Sequence, residues 1–101
     1  MIVEYIRYEM KTHSAETLIA AYGQAAEHLR AAPECLAFDL AHCVEEPNSL
    51  ILRIHWTSIE AHMQGFRKGP NFPAFLAAIR PFVGEIAEMR HYEETDVRWQ
   101  R

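Results

Sequence analysis

The stretch CLAFDLAHCVEEPNSLILRIHWTSIEAH, residues 35–62, reads as two strands, a turn and the opening of a helix. Side chains on a strand alternate faces with a period of two, so only residues of one parity share a surface. Leu36, Phe38, Leu40, His42 and Val44 line one face of the first strand, and Leu50, Leu52, Ile54 and Trp56 line one face of the second. If the Glu45-Glu46-Pro47-Asn48 turn pairs the strands with equal parity, the two sets lie side by side. His42 is then the only polar side chain on an apolar surface. It is either a hydrogen-bonded core or rim histidine, or an acid or base facing a ligand. Thr57 with Glu60 three residues later forms a capping box, which starts a helix directly after Trp56 and carries His62 on its first turn. Two imidazoles and one indole are thereby placed where one pocket could collect them.

Outward from this stretch, residues 2–11 predict a strand rich in Ile, Val and Tyr, broken by Lys11-Thr12-His13. Ser14 is a good N-cap. Leu18, Ala21, Tyr22, Ala25, Leu29 and Ala32 follow at helical spacing until Pro33, with Glu16, Gln24, Glu27 and Arg30 on the solvent side. Gly65 and Gly69-Pro70 split the second helix into two segments, and Phe72, Phe75, Leu76 and Ile79 continue its apolar face up to Arg80-Pro81. Residues 85–93 predict a last strand, and 96–101 a polar tail. The order β-α-β-β-α-β specifies an α+β, ferredoxin-like fold: a four-stranded antiparallel sheet with both helices on one face. On the other face Val3, Tyr5, Ala41, Cys43 and Ile51 mix with Arg7, Glu9, Asp39, Arg53 and His55. Such a half-apolar surface predicts a homodimer, with Arg53 and His55 meeting acidic neighbours across its seam.

A chain of 101 residues makes one domain with a modest core. Half its residues are hydrophobic and 24% are charged, the composition of a soluble globular protein. No apolar run approaches the ~20 residues of a membrane span. Charges within Met1–Arg7 argue against a signal peptide or anchor, which makes the cytoplasm the default. The net charge of −4 comes with no basic block, so nucleic acid is not an expected partner. Cys35 and Cys43, eight residues apart on one predicted strand, stand roughly 26 Å apart, against about 7 Å for a disulfide, and read as free thiols. No Cys-x-x-Cys or His-Glu-x-x-His occurs, and Glu88-x-x-His91 falls on a strand whose alternation points the two apart. No metal site is expected.

Trp56-Thr57-Ser58-x-Glu60-Ala61, Pro70-x-Phe72 and the closing Met89-Arg90-His91-Tyr92-Glu93 together resemble the antibiotic-biosynthesis-type monooxygenase (ABM) family, over a domain spanning residues 1–95. The resemblance implies ferredoxin-like subunits that pair their sheets into a dimeric α/β barrel, with a cavity between sheet and helices in each. Membership alone does not fix chemistry. One branch of the family oxidises polycyclic anthrones and quinols without metal or flavin. By the resemblance to it, His42 matches a histidine on the second strand and Trp56 a tryptophan on the third. Leu52 replaces an asparagine, His62 a tyrosine and Leu76 an arginine, which removes two groups suited to holding a quinone oxygen or a peroxide. A haem-degrading branch would need an asparagine, an aromatic and an axial histidine where this chain has Ile6, Gly65 or Phe66, and Leu76; leucine cannot ligate iron.

Two functions follow. The first is a cofactor-independent monooxygenase, or an isomerase, acting on an aromatic, quinol-like or enolisable small molecule. His62 is its preferred base and His42 the second choice. Trp56 and Phe38 would form the aromatic wall, Phe66 and Phe75 would close the helical side, and Leu52 and Leu76 would complete the substrate site. The second is a dimer that binds a hydrophobic metabolite without turnover.

Overall fold

The computed structural model describes residues 1–101. Ile2–Glu9 forms β1, Ala15–Ala31 α1, Cys35–His42 β2 and Ser49–Trp56 β3; Phe72–Ile79 forms α2 and Ile86–Glu93 β4. Between β3 and α2 lies a π-helical turn, Ala61–Phe66, and a 3₁₀ segment, Arg80–Glu85, leads from α2 into β4. The strands are antiparallel in the order β2-β3-β1-β4, with both helices on one face, as the element order required. Equal parity in the hairpin holds as well: Phe38 faces Ile54, Leu40 faces Leu52 and His42 faces Leu50.

Local chemistry sets the boundaries. The Ser14 hydroxyl accepts the Thr17 N–H at 3.2 Å, and α1 stops just before Pro33, whose missing N–H and ring oppose another turn. The second helical segment is capped by Ser58, one residue later than expected, its Oγ accepting the Ala61 N–H at 3.0 Å. Glu85 ties the end of the 3₁₀ segment to the β1–α1 loop. Its carboxylate accepts the N–H groups of Lys11, Thr12 and His13 and pairs with the His13 ring at 2.7 Å. These donors, Lys11 and the His13 ring first, pull its pKa down to about 2.

The core is the helix-facing side of the sheet. Tyr8, Leu50, Leu52, Ile54 and Trp56 are buried there against Leu18, Tyr22, Ala25 and Leu29 of α1 and against Phe66, Phe75, Ile79 and Phe82. Each large apolar side chain so buried contributes about 1.5–3 kcal/mol. No helix is long and apolar enough to cross a membrane.

Two expectations are corrected. The sheet is open, with β2 and β4 as its edges, and is not closed into an α/β barrel; four strands are too few to curl back on themselves. On the uncovered face, Arg53 grips Asp39 with two hydrogen bonds of 3.2 and 3.1 Å, and His55 lies 3.8 Å from Glu94. These side chains therefore find their acidic partners within the chain rather than across a seam, because the cross-strand position opposite Arg53 is Asp39.

Candidate active site

A cavity of about 300 Å³ lies between the sheet and the second half of the chain. Ile6, Tyr8 and Ile54 form its floor, Phe66, Phe72, Phe75 and Leu76 its roof, and Tyr22 of α1 one flank. Glu4, His62 and Arg67 stand among these mainly apolar walls.

Register brings the polar groups together. Glu4 shares the helix-facing parity of β1 with Ile6 and Tyr8, and it is opposite Ile54 on β3 and His91 on β4. From the roof, the π turn contributes His62 and Arg67. In an α-helix, residues five apart point roughly 140° away from each other. Here the Arg67 N–H closes onto the His62 carbonyl at 3.0 Å, a five-residue repeat that turns both side chains the same way. Arg67 Nε comes within 3.4 Å of His62 Nε2.

His62 is the hub. Its Nε2 is 3.3 Å from Glu4 Oε1, its Nδ1 is 2.8 Å from His91 Nε2, and its ring stacks on Trp56 at 4.8 Å with 13° between planes. Trp56, wholly buried, donates its indole N–H to Glu4 Oε1 at 3.0 Å. Only 3% of Glu4 and 2% of His62 is exposed, so both ionisable groups are inside the protein. Burial raises the Glu4 pKa, against the pull of the Trp56 hydrogen bond and the Arg67 charge. Burial, then Arg67 and His91, lowers that of His62 to about 4. Burial and Arg67 lower His91 too, so His62 and His91 are neutral rings at pH 7. One His62 nitrogen carries the proton. If it is Nε2, that N–H lies beside Glu4 and Nδ1 accepts from His91; if it is Nδ1, it donates to His91 and Nε2 accepts from Arg67. Across the cavity, the Tyr8 and Tyr22 hydroxyls share a 2.6 Å hydrogen bond. Burial pushes Tyr8 up to about 12 and Tyr22 higher still, which keeps both phenols protonated.

Among the residues expected from sequence, His62, Phe66, Phe75 and Leu76 line the cavity. Trp56 lies behind its wall, orienting Glu4 and His62. Leu52 is packed in the core and, with Phe38, borders a separate groove between α1 and β2. His42 is not in the cavity: at the exposed end of β2 its Nε2–H donates to the Pro47 carbonyl at 2.6 Å. Sequence reasoning missed Glu4, Arg67, His91 and the two tyrosines. Glu4 had a signal, as the only charge in the alternating set Ile2, Glu4, Ile6, Tyr8. No group of three or more His, Cys, Asp or Glu side chains converges in an arrangement that could hold a metal, and Leu76 offers a haem iron no donor atom.

The fold is two layers, a sheet and its helices, with a small mainly apolar cavity and a buried acid–imidazole pair between them. The profile of the antibiotic biosynthesis monooxygenase family matches residues 1–78, and the chain belongs to that family. It is 22% identical over 94 residues to the uncharacterized protein YczJ of Bacillus subtilis (strain 168), which covers 93% of this chain and 99% of YczJ. In structure it is similar to a candidate antibiotic biosynthesis monooxygenase of Bordetella bronchiseptica (TM-score 0.74, 21% identity, 93% and 96% of the two chains). It is also similar to a variant of SnoaB, a cofactor-independent oxygenase from Streptomyces nogalater (TM-score 0.69, 17% identity, 97% and 94%).

Proposed function

We propose that this protein is a cofactor-independent monooxygenase acting on a small quinol, phenol or enolisable ketone with one or two rings. The observation that carries the reading is the buried Glu4–His62 pair, 3.3 Å apart, at the polar end of an apolar cavity of about 300 Å³. That volume is at the small end of ligand pockets, roughly 300–1,000 Å³.

Chemically, the base pair takes a proton from an activated CH₂ or OH, and Arg67 stabilises the anion formed. The electron-rich anion reduces O₂ and combines with it at carbon. The resulting hydroperoxide loses water to leave a carbonyl, so CH₂ plus O₂ becomes C=O plus H₂O. One oxygen atom enters the product, the other leaves as water, and no external reductant is needed. Trp56 acts from behind by fixing Glu4 and the His62 ring.

Oxygen uptake with ¹⁸O₂ over a panel of naphthoquinols, naphthols and tetralones tests this. We expect one O₂ consumed per product, one ¹⁸O in the new carbonyl, and about a hundredfold or greater loss of rate in His62→Gln. Full activity in that variant would remove the base assignment. Stabilisation by panel members without oxygen uptake would favour the binding protein, a reading supported by leucine at 52 and 76 where the oxidising relatives carry an amide and a guanidinium.

Two further parts of the reading concern setting. Val3, Tyr5 and Ile51 make an apolar centre on the uncovered sheet face, where Tyr5 and Tyr92 meet edge to face at 5.8 Å, and a second copy of the chain is the partner we infer for it. The two free thiols, Cys35 and Cys43, suit work in the cytoplasm.

A further inference from the structure

We propose that the cavity takes its ligand as a small aromatic monoanion, whose negative oxygen meets the Arg67 guanidinium while one proton enters the Glu4–His62–His91 cluster. The inference deepens the proposed function and rests on the same cavity.

The first observation is an under-used cation. Arg67 lines the cavity, and its guanidinium reaches only His62 Nε2 at 3.4 Å and Met89 Sδ at 4.0 Å. The first contact is long and the second is to a weak acceptor, which leaves most of a group with five N–H donors unused by the protein. Of the other arginines, Arg7, Arg53, Arg90 and Arg98 pair with carboxylates and the unpaired Arg30, Arg80 and Arg101 are exposed to water; half-buried Arg67 has no Asp or Glu oxygen within 4.0 Å of its guanidinium. A carboxylate or phenolate is the acceptor that such a fork is built to take, in one or two charge-assisted hydrogen bonds.

The second observation concerns charge balance. Wherever Glu4 is ionised and both rings are neutral, Glu4 and Arg67 cancel. An incoming anion would leave two negative charges against one positive in a poorly solvated space, which is costly. The cluster offers sites for a compensating proton, because Glu4 Oε1 lies 3.3 Å from His62 Nε2 and His62 Nδ1 is hydrogen-bonded at 2.8 Å to half-buried His91 on edge strand β4. A proton received there restores neutrality. Size supplies the third constraint: the cavity matches one or two rings, and its Phe66, Phe72 and Phe75 roof is a surface for stacking them.

The test is calorimetric titration at pH 7 with 1-naphthoate and with its neutral isostere 1-naphthamide, repeated in buffers of different ionisation enthalpy. We expect 1-naphthoate to bind at least tenfold more tightly, with close to one proton taken up per anion. Arg67→Gln should lower 1-naphthoate affinity at least tenfold more than it lowers that of the amide, and Arg67→Lys should keep part of the preference. Equal binding of the two probes by the native chain, or an equal loss of both in Arg67→Gln, would overturn the anion assignment while leaving the cavity as a ligand site. An anion preference with no proton uptake would overturn the coupling proposed here. If neither probe binds, the inference fails together with the cavity reading beneath it.

Discussion

His62 is kept neutral by burial, by Arg67 and by His91, at a pKa of about 4 against 6.5 for an unperturbed imidazole. The unfolded chain therefore takes up this proton near pH 6.5 and the folded chain only near 4. Stability tied to His62 is complete above pH 6.5 and is lost as the pH falls through that window, by up to about 3 kcal/mol. Glu4 has the opposite sign: its raised pKa favours the folded state most below pH 4.5 and less as the pH rises through the folded value. We expect the urea midpoint of the native chain to drop between pH 6.5 and 4.5, and that of His62→Gln to drop markedly less; parallel curves would assign the slope to another group. His42 is a contrasting case. Exposed at the hairpin end and bonded only to the Pro47 carbonyl, it should tolerate leucine at a cost of about 1 kcal/mol or less, with ligand affinity unchanged in a titration with 1-naphthol.

At the scale of elements, the π turn aligns His62 with Arg67, and Gly69 makes its exit possible. A Cβ on Gly69 would lie 2.5 Å from the Gly65 carbonyl oxygen, so Gly69→Ala must push the turn apart. We expect a loss of about 1–3 kcal/mol in denaturant unfolding together with weakened ligand binding; an unperturbed Gly69→Ala would show that the close approach is unimportant. The hairpin and the broken second helix were legible because a period of two and the Gly69-Pro70 breaker are written directly into the sequence, whereas Gly65, expected to interrupt the helix, lies inside the Ala61–Phe66 turn. The five-residue repeat of the π turn has no such mark, and Arg67 was overlooked for that reason. Parity placed His42 on the correct face but says nothing of depth along the strand, and the end of β2 extends beyond the helical cover. His91 became visible only through the β1–β4 register that sets it opposite Glu4.

Over the whole molecule, one sheet face carries the core and cavity, and the other carries apolar side chains set among ion pairs satisfied within the chain. Sedimentation at micromolar concentration should give twice the 11.7 kDa chain mass, and Tyr5→Lys, which places a charge in the apolar centre of the uncovered face, should shift the protein toward the monomer. A native chain that sediments as a monomer would defeat the pairing proposed for this face. The ligand claim concerns the opposite side of the sheet. It is tested most directly by nuclear magnetic resonance of the ¹³C- and ¹⁵N-labelled side chains during titration with 1-naphthol. We expect shifts concentrated at His62, Arg67, Phe66, Phe75 and Leu76, with His42 and the uncovered face silent; shifts gathered at His42, or spread over the surface with the cavity silent, would contradict the account.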